Sequence, residues 1–476
     1  MAEMIQGKSD EIELKRSLGL VHLIALGIGS IIGAGIFVLT GQAAATLAGP
    51  GVVFSFAIAG TGCLFAGLCY SEFASMIPGA GSAYTYTYAT LGRFAAWLIG
   101  WNLVLEYLAA ASGVAVGWSG YLNDFLTGFG LPIPSLLRTA PVALHGAHAF
   151  VATGAIVNLP AVVLVAFITL VLVAGVTVTA NFNNAMVAVK LSIVLLVIFA
   201  CIGYVVPSNH HPFVPPNTGE FGQFGWTGVF RATGVLFFAY IGFDAVSVAA
   251  QEAKNPQRDI PLGMLGSLAI CTLLYMLMSY VLTGIAPYQS LNVAHPVSKA
   301  VAALPGTKWL VLTTNIGAIV GLSSVVLVML LGQSRIFYAM GRDGLLPPAF
   351  NAIHPRFRTP YKGTIIIGLF AAVLAGFVPL DILGQLGSIG TLAAFTIVCV
   401  GVLVLRINAP HVKRPFRTPF VWFTAPMGII MCVSIMLFLP LDTWVRLAVW
   451  TAMGLAIYFL YSIKHSVPGR YSLKDG

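Results

Sequence analysis

Two ionisable residues, Lys190 and Glu106, stand inside long stretches that otherwise carry no charge. Burial disfavours the charged form of an amine, so a buried lysine can reach a range in which it gains and loses a proton. A lysine in such a stretch is a candidate proton carrier. An alternative remains open, because Lys190 is only about seven residues from Asn183 and can instead extend to a membrane surface. Glu106 is either a protonated structural hydrogen-bond donor or a second proton site.

Four glycines, Gly27, Gly29, Gly33 and Gly35, fall close together in another apolar stretch. Glycine weakens a helix, and an unwound helix exposes N–H groups on one side of the break and C=O groups on the other. These groups attract a carboxylate and an ammonium, so a break can bind a zwitterionic amino acid without a charged side chain. Such spacing also marks close helix packing. A second interrupted stretch at residues 237–242, at the matching place in the chain, favours the binding site.

The composition indicates which elements must position these groups. The chain has 476 residues, of which 58% are hydrophobic and 8% charged, and its mean hydropathy is +0.92. Soluble proteins carry about 25% charged residues. A soluble enzyme, a disordered chain and a disulfide-rich scaffold are therefore excluded. The composition predicts an all-α polytopic membrane protein, because each bilayer span needs about 20 apolar residues.

Apolar runs predict twelve spans. They cover roughly residues 21–47, 51–77, 92–124, 158–180, 184–206, 225–250, 262–286, 309–340, 363–378, 382–406, 420–440 and 443–463. An even number of spans places both termini on the same side of the membrane.

The distribution of charge predicts the orientation. Most of the 24 Lys and Arg residues fall on the side of the N-terminus, and the other side holds Arg138, Arg231, Lys299, Lys308 and Arg446. Basic loops are cytoplasmic, so both termini are predicted to be cytoplasmic in a plasma membrane. The net charge of +9 therefore orients the chain and does not indicate a nucleic-acid partner. The nine histidines show no metal-ligand spacing.

The spans also predict an internal repeat. Residues 21–206 and 225–406 each hold five spans, and an odd number makes the two halves enter the membrane from opposite sides. Residues 407–463 hold two further spans. Residues 1–20 and 464–476 are predicted cytoplasmic tails.

Three motifs resemble those of the amino acid–polyamine–organocation transporters. The sequence GSIIGAGIF at 29–37 is similar to the first-helix motif of this family. The sequence FFAYIGFD at 237–244, followed by EAKNP at 252–256, is similar to the sixth helix of this family. Residues 70–73 and 78–84 are similar to the end of its second helix and the loop that follows. The chain most resembles bacterial homologues of the cationic amino acid transporter branch. The resemblance implies a LeuT-type fold, with a 5+5 inverted repeat plus two extra helices, twelve in all, and alternating access.

The resemblance further implies a substrate site at the two breaks. Backbone amides of the first break would bind the substrate carboxylate, and backbone carbonyls of both breaks would bind the substrate ammonium. Phe238 would close over the substrate as a gate. The matching positions are Ile28, Ile31, Gly33, Ala34, Gly35, Phe238, Ala239, Ile241 and Leu322. Leu322 is expected to form an apolar wall, which favours neutral amino acids.

The same resemblance assigns the proton site. Bacterial relatives with a lysine in the fifth span are proton-coupled, and the amine replaces the sodium ion of sodium-coupled members. We therefore expect Lys190 to contact the carbonyl of Gly29 and the hydroxyl of Ser323 or Ser324. Glu106 stays a candidate second proton site.

Glu72 and Asp244 lie near span ends and are expected to act in cytoplasmic-side packing and gating. These features predict a proton-coupled symporter of neutral amino acids, with an amino acid, protons and the lipid bilayer as partners and no enzymatic activity, cofactor or metal. Three alternatives stay open: an exchanger of amino acids or polyamines, a carrier of cationic amino acids, and a non-transporting amino acid sensor. The sequence does not decide whether a small membrane subunit binds.

Overall fold

The computed structural model describes residues 18–76, 82–145, 149–175, 177–248, 253–355, 357 and 359–466. Several predictions fall outside these ranges. They concern most of both tails, residues 78–81 of the second-helix motif and Glu252 of the sixth-helix motif.

Twelve α-helices of 12 or more residues occur in the described ranges, and we label them α1 to α12. They are Leu20–Ile31, Val52–Met76, Arg93–Gly128, Leu159–Ala174, Thr177–Cys201, Gly225–Leu236, Pro256–Ile285, Lys308–Arg342, Tyr361–Phe377, Leu380–Asn408, Val421–Leu437 and Leu441–Ile457. Eleven of them overlap one predicted span each, and α5 overlaps the fifth predicted span and the end of the fourth.

Length and hydropathy separate these helices into two groups. Eight helical stretches are long and apolar enough to cross a membrane: Gly35–Met76, Arg93–Gly128, Ala185–Tyr204, Gly225–Ser247, Pro256–Ile285, Lys308–Arg342, Leu380–Asn408 and Leu441–His465. The helices α1, α4, α9 and α11 are apolar but shorter. The helical character of the predicted spans is therefore confirmed, and their number as membrane crossings stays a prediction.

The first predicted break lies directly after α1. This helix ends at Ile31, Ile32 has an extended backbone (φ −70°, ψ 97°), and a π-helical turn covers Gly35–Leu39. A Cβ atom at residue 35 would lie 2.6 Å from the Cα atom of Ala239. Glycine therefore interrupts the helix and also lets the second break approach.

The second break follows α6. That helix ends at Leu236, a 3₁₀ turn covers Phe237–Tyr240, and a short helix resumes at Ala245–Val248. Between them Gly242 has φ +105°, a conformation that residues with a side chain rarely adopt. Both interruptions that the sequence predicts are therefore present.

Helix α3 forms the centre of the molecule and packs along its length against α8 and α10, while α7 packs against α1 and α2. The middle of α3 is rich in small residues, including Ala110, Ala111 and Gly113, all of them buried. Small residues let helix backbones approach closely in a membrane. Helix α3 therefore presents a surface of small side chains to the two breaks.

One short hairpin was not predicted. Strands β1 (Val142–His145) and β2 (Ala149–Ala152) are antiparallel, with Val142 opposite Ala152. They lie in the connection between α3 and α4, outside the predicted spans. The all-α prediction therefore describes the spans but not this connection.

Helix α12 is attached to α3 by tryptophans. The rings of Trp101 and Trp450 stack with centroids 4.5 Å apart, and each indole N–H donates to the other residue's carbonyl, at 2.7 and 3.0 Å. Trp97 donates to the carbonyl of Gly454 at 3.0 Å. A Cβ atom at Gly454 would lie 2.5 Å from Nε1 of Trp101, so a side chain there must displace one helix.

We expect Gly454→Leu to lower the thermal unfolding midpoint of the purified protein. Overpacking at a helix contact costs about 1–3 kcal/mol. Ala452→Leu is the matched control, because Ala452 is exposed on the same helix. An unchanged midpoint for Gly454→Leu would contradict this contact between α12 and α3.

Candidate functional site

A small cavity lies where the two breaks meet. Its lining residues are Ser30, Ile31, Gly33, Ala34 and Gly35 from the first break, Phe238, Ala239 and Ile241 from the second, Ala110 and Val114 from α3, and Val325 and Met329 from α8. None of these twelve side chains is charged. The cavity is therefore apolar apart from backbone N–H and C=O groups and one hydroxyl.

Seven of the nine predicted substrate positions line this cavity, and Ile28 and Leu322 do not. The carbonyl of Ile28 accepts the N–H of Ile32 at 3.0 Å, which completes the last turn of α1. Leu322 is fully buried and lies one turn before Val325 on α8. On α8 the cavity is lined by Val325 and Met329. The role of Leu322 as an apolar wall stays a prediction.

Tyr275 of α7, which was not predicted, joins the two breaks. Its side chain is fully buried, and its hydroxyl oxygen lies 2.7 Å from the carbonyl oxygen of Ile31 and 2.8 Å from that of Ala239. One hydroxyl hydrogen can be donated to only one of these carbonyls at a time. The tyrosine therefore holds both breaks and leaves one carbonyl able to accept another donor.

The ring of Phe238 is packed between two glycines at the edge of the cavity. A Cβ atom at Gly113 of α3 would lie 3.2 Å from its Cζ atom, and one at Gly387 of α10 would lie 2.9 Å from its Cδ2 atom. These glycines leave space for the ring in this position. The role of Phe238 as a gate stays a prediction.

Lys190 of α5 is fully buried, and its ammonium group binds the first break and α8. Its Nζ atom donates to the carbonyls of Gly29 and Ile32, the latter at 3.0 Å, and to the hydroxyl of Ser324 at 3.1 Å. Three acceptors match the three N–H donors of an ammonium group. The side chain therefore does not extend to the membrane surface.

Of the two predicted serines, only Ser324 contacts Lys190. The hydroxyl of Ser323 donates instead to the carbonyl of Ile319 in its own helix, at 2.8 Å. Gly321 makes room for the lysine stem, because a Cβ atom there would lie 2.9 Å from the Lys190 Cβ atom. The two neighbouring serines thus form a natural pair of test and control positions.

Two acidic residues lie within one turn of the cavity. Glu106 is fully buried one turn before Ala110, and its carboxyl oxygens have no hydrogen-bond partner among the described residues. Asp244 lies three residues after Ile241 and accepts a hydrogen bond from the hydroxyl of Tyr107 at 2.7 Å. A carboxylate without partners is costly to bury. Both predicted roles of Glu106, structural donor or proton site, stay open.

Glu72, at the end of α2, binds two arginines. The Nε and Nη2 atoms of Arg406 lie 3.0 and 2.7 Å from its two oxygens, and Nε of Arg414 lies 3.2 Å from Oε1. The backbone N–H of Thr418 donates to Oε2 at 2.8 Å. Glu72 thus joins α2 to α10 and to the segment before α11, whereas Asp244 bonds to α3. The gating role of both acids stays a prediction.

The described ranges contain no group of three or more His, Cys, Asp or Glu side chains placed to hold a metal ion. All six cysteines are buried and free.

Comparison with known proteins agrees with this geometry. The family model described as "Amino acid permease" matches residues 18–461. The chain is 47% identical to the branched-chain amino acid permease BcaP of Bacillus subtilis over 98% of this chain and 97% of that protein. It is 45% identical to the methylthioribose transporter of the same organism, with the same coverage.

A third relative comes from a plant. The chain is 40% identical to the vacuolar cationic amino acid transporter 4 of Arabidopsis thaliana, over 84% of this chain and 64% of that protein. The three relatives therefore carry different substrate names.

Proposed function

The chain belongs to the amino acid permease family, and on this premise we propose that it is a proton-coupled symporter of neutral, aliphatic amino acids. Membership gives it a LeuT-type fold and makes it a multi-pass membrane protein. Its relatives are permeases and transporters rather than enzymes. Substrate, coupling and orientation belong to the proposal.

The observation that carries the proposal is a cavity that two helix breaks line with backbone groups and no charged side chain. An amino acid in water is a zwitterion, and the exposed N–H and C=O ends of broken helices complement its two charges. The second carbonyl near Tyr275 is a suitable acceptor for the ammonium. Such a site recognises what all amino acids share.

The residues that line the cavity determine which substrate side chains it accepts. Ala110, Val114, Val325 and Met329 are apolar and offer no partner for a cationic group. Burying an aliphatic side chain against them is favourable, whereas burying an unpaired charge is costly. The name of the BcaP relative agrees with this preference. We therefore place branched-chain and other aliphatic amino acids before cationic ones.

Methylthioribose is a second candidate substrate, because the relative of that name is almost as similar as BcaP. It is a neutral molecule, which suits the uncharged walls. It has neither an α-carboxylate nor an α-ammonium, however, and its ribose hydroxyls would need polar partners. Among the lining side chains only Ser30 is polar, and its hydroxyl already donates to the carbonyl of Leu26 at 2.9 Å.

Lys190 supports the coupling part of the proposal. Its charged form is held by Gly29 and Ile32 of the first break and by Ser324 of α8. Loss of its proton would weaken all three contacts, so the first break could move relative to α8. Protonation of Lys190 and binding of the substrate would then both favour one position of the same helix, which is the requirement for coupled transport.

We also propose the organisation that the sequence predicts. Residues 21–206 and 225–406 form the two inverted halves, and residues 407–463 add two helices. The protein lies in the plasma membrane with both termini in the cytoplasm. The positions of the two breaks, one at the start of each half, support the repeat.

The binding test uses leucine and blocked derivatives of it. Leucine should raise the thermal unfolding midpoint of the purified protein, because a ligand that binds only the folded state stabilises it. Leucine methyl ester and N-acetyl-leucine should fail to do so, because each lacks one of the two charges. Arginine should give a smaller shift, and methylthioribose none.

Each alternative has its own outcome in this assay. A shift with methylthioribose and none with leucine would replace the proposal by the second candidate. Shifts with both blocked leucines equal to that of leucine would contradict recognition by the helix breaks.

A matched pair of valines tests the wall. We expect Val325→Thr, which keeps the volume but adds a hydroxyl beside the substrate, to weaken leucine binding by about 1 kcal/mol or more, roughly five-fold. Val326→Thr is the control, because Val326 is equally buried but does not line the cavity. Leucine affinities that fall equally in both variants would show that Val325 does not face the substrate.

A further inference from the structure

The segment between α10 and α11, residues 409–420, concentrates basic side chains at one end of the molecule. We call it the basic segment. It contains Lys413, Arg414 and Arg417, and Arg406 lies just before it in the last turn of α10. In the described part of the chain, the acid that contacts this group is Glu72. Positive charge therefore exceeds negative charge here.

Two of these four cations are committed to internal contacts. Arg406 binds Glu72 through two nitrogens, at 2.7 and 3.0 Å. Arg414 is buried and donates to the carbonyls of Leu405 and Ala409 at the end of α10, at 3.2 and 2.8 Å. Burial, and then the charge of Arg406, lower the pKa of the Arg414 guanidinium, with a smaller contribution of the same sign from Arg417. The cations are thus crowded together.

Lys413 and Arg417 are the other two cations, and both are exposed. Neither side chain makes a hydrogen bond or an ion pair within the described ranges. They project from a segment that is otherwise fixed. They are therefore free to bind an anion from outside the protein.

The exposed neighbours of these cations are aromatic. Phe420 is 87% exposed, Trp422 65% and Phe423 60%, all at the start of α11. Phe420 also has φ +44°, a left-handed conformation that is strained for a residue with a side chain. Aromatic side chains with basic neighbours are typical of the boundary between lipid and water. Acyl chains would cover these rings.

We propose that Lys413 and Arg417 bind the headgroup phosphate of an anionic phospholipid, whose acyl chains contact Trp422 and Phe423. Clusters of Lys and Arg beside a membrane helix attract anionic lipids. A soluble phosphate would satisfy the two cations but not the exposed rings. The lipid is therefore the occupant that fits both features.

This lipid would act on the transporter through α2. The N–H of Thr418 donates to Glu72 at 2.8 Å, and the N–H of Phe416 donates to the hydroxyl of Ser75 at 3.2 Å. The basic segment is therefore bonded directly to the end of α2. A lipid that holds the segment also stabilises the contact between α2 and α10, independently of substrate and proton coupling.

The test measures thermal unfolding of the full chain in nanodiscs. Replacing part of the phosphatidylcholine by phosphatidylglycerol should raise the midpoint of the wild type. Lys413→Gln/Arg417→Gln should lose most of this rise. Lys254→Gln/Arg258→Gln should keep it, because these two exposed bases lie before and within the first turn of α7 and are not part of the basic segment.

Two further arms distinguish the lipid from a soluble phosphate and from a general loss of stability. Glycerol phosphate added to phosphatidylcholine nanodiscs should not raise the unfolding midpoint. Lys413→Arg/Arg417→Lys keeps both charges and should show the wild-type rise with phosphatidylglycerol, even if the neutral variant is less stable. The proposal is overturned if phosphatidylglycerol does not stabilise the wild type, if the neutral variant keeps the rise, if the α7 control loses it equally, or if glycerol phosphate reproduces it.

Discussion

Lys190→Ala should reduce proton-driven accumulation of leucine in proteoliposomes to background. The variant removes the ammonium group that joins α5 to Gly29, Ile32 and Ser324. Binding of leucine should partly survive, since backbone groups of the cavity remain. Lys190→Arg should be nearly as damaging, because a guanidinium keeps its proton under all working conditions.

Two control variants and one further test variant accompany this prediction. Lys308→Ala removes an exposed lysine and should transport as wild type. Ser324→Ala should slow accumulation, because hydrogen bonds to charged groups contribute about 1.5–3 kcal/mol. Ser323→Ala should not slow it, since that hydroxyl bonds within its own helix. Wild-type accumulation by Lys190→Arg, with unchanged pH dependence, would exclude Lys190 and make Glu106 the leading candidate for the proton site.

Gly35→Ala should abolish leucine binding. The new Cβ atom would lie 2.6 Å from the Cα atom of Ala239, so backbone rather than a flexible side chain must move. The two breaks would then separate, and their N–H and C=O groups would no longer face one cavity. We expect no leucine-dependent rise of the unfolding midpoint and no uptake.

Gly384→Ala is the matched control for this variant. It adds the same methyl group in α10, where the nearest atom, Cδ1 of Leu39, lies at an ordinary 3.9 Å. It should bind leucine as wild type does. Normal leucine affinity in Gly35→Ala would show that contact between the breaks is not needed for binding.

Local features of the sequence predicted most of the fold and much of the site. Uncharged apolar runs placed the helices, because each run must be covered by lipid or by another helix. A glycine cluster indicated the first break, and an interrupted stretch at the matching place in the chain indicated the second, since an interruption depends on the local backbone. The lysine in α5 was visible because a single charge in an apolar stretch is rare. Its bond to Gly29 followed from the family resemblance.

The features that the sequence does not reveal depend on how helices face each other. The sequence did not indicate that Val325 and Met329 line the cavity, because the depth of the cavity is set by the position of α8 relative to the breaks. Tyr275 forms hydrogen bonds with Ile31, which lies 244 positions earlier in the chain, and with Ala239, which lies 36 positions earlier. Such contacts leave no local pattern in a single sequence.

The cluster around Glu72 was missed for the same reason. The acid was recognised near the end of a span, but Arg406 and Thr418 lie 334 and 346 residues later in the chain. Only packing of α2 against α10 brings them together. Its consequence for the basic segment was therefore invisible in the sequence.

Uptake of radiolabelled leucine into proteoliposomes that contain no internal amino acid tests the central claim most directly. With an inward proton gradient, leucine should accumulate above its external concentration, and a protonophore added at the plateau should release it. An exchanger would take up leucine only into preloaded vesicles, and a sensor would bind it without uptake. Leucine uptake that requires preloading and ignores the protonophore would contradict proton-coupled symport.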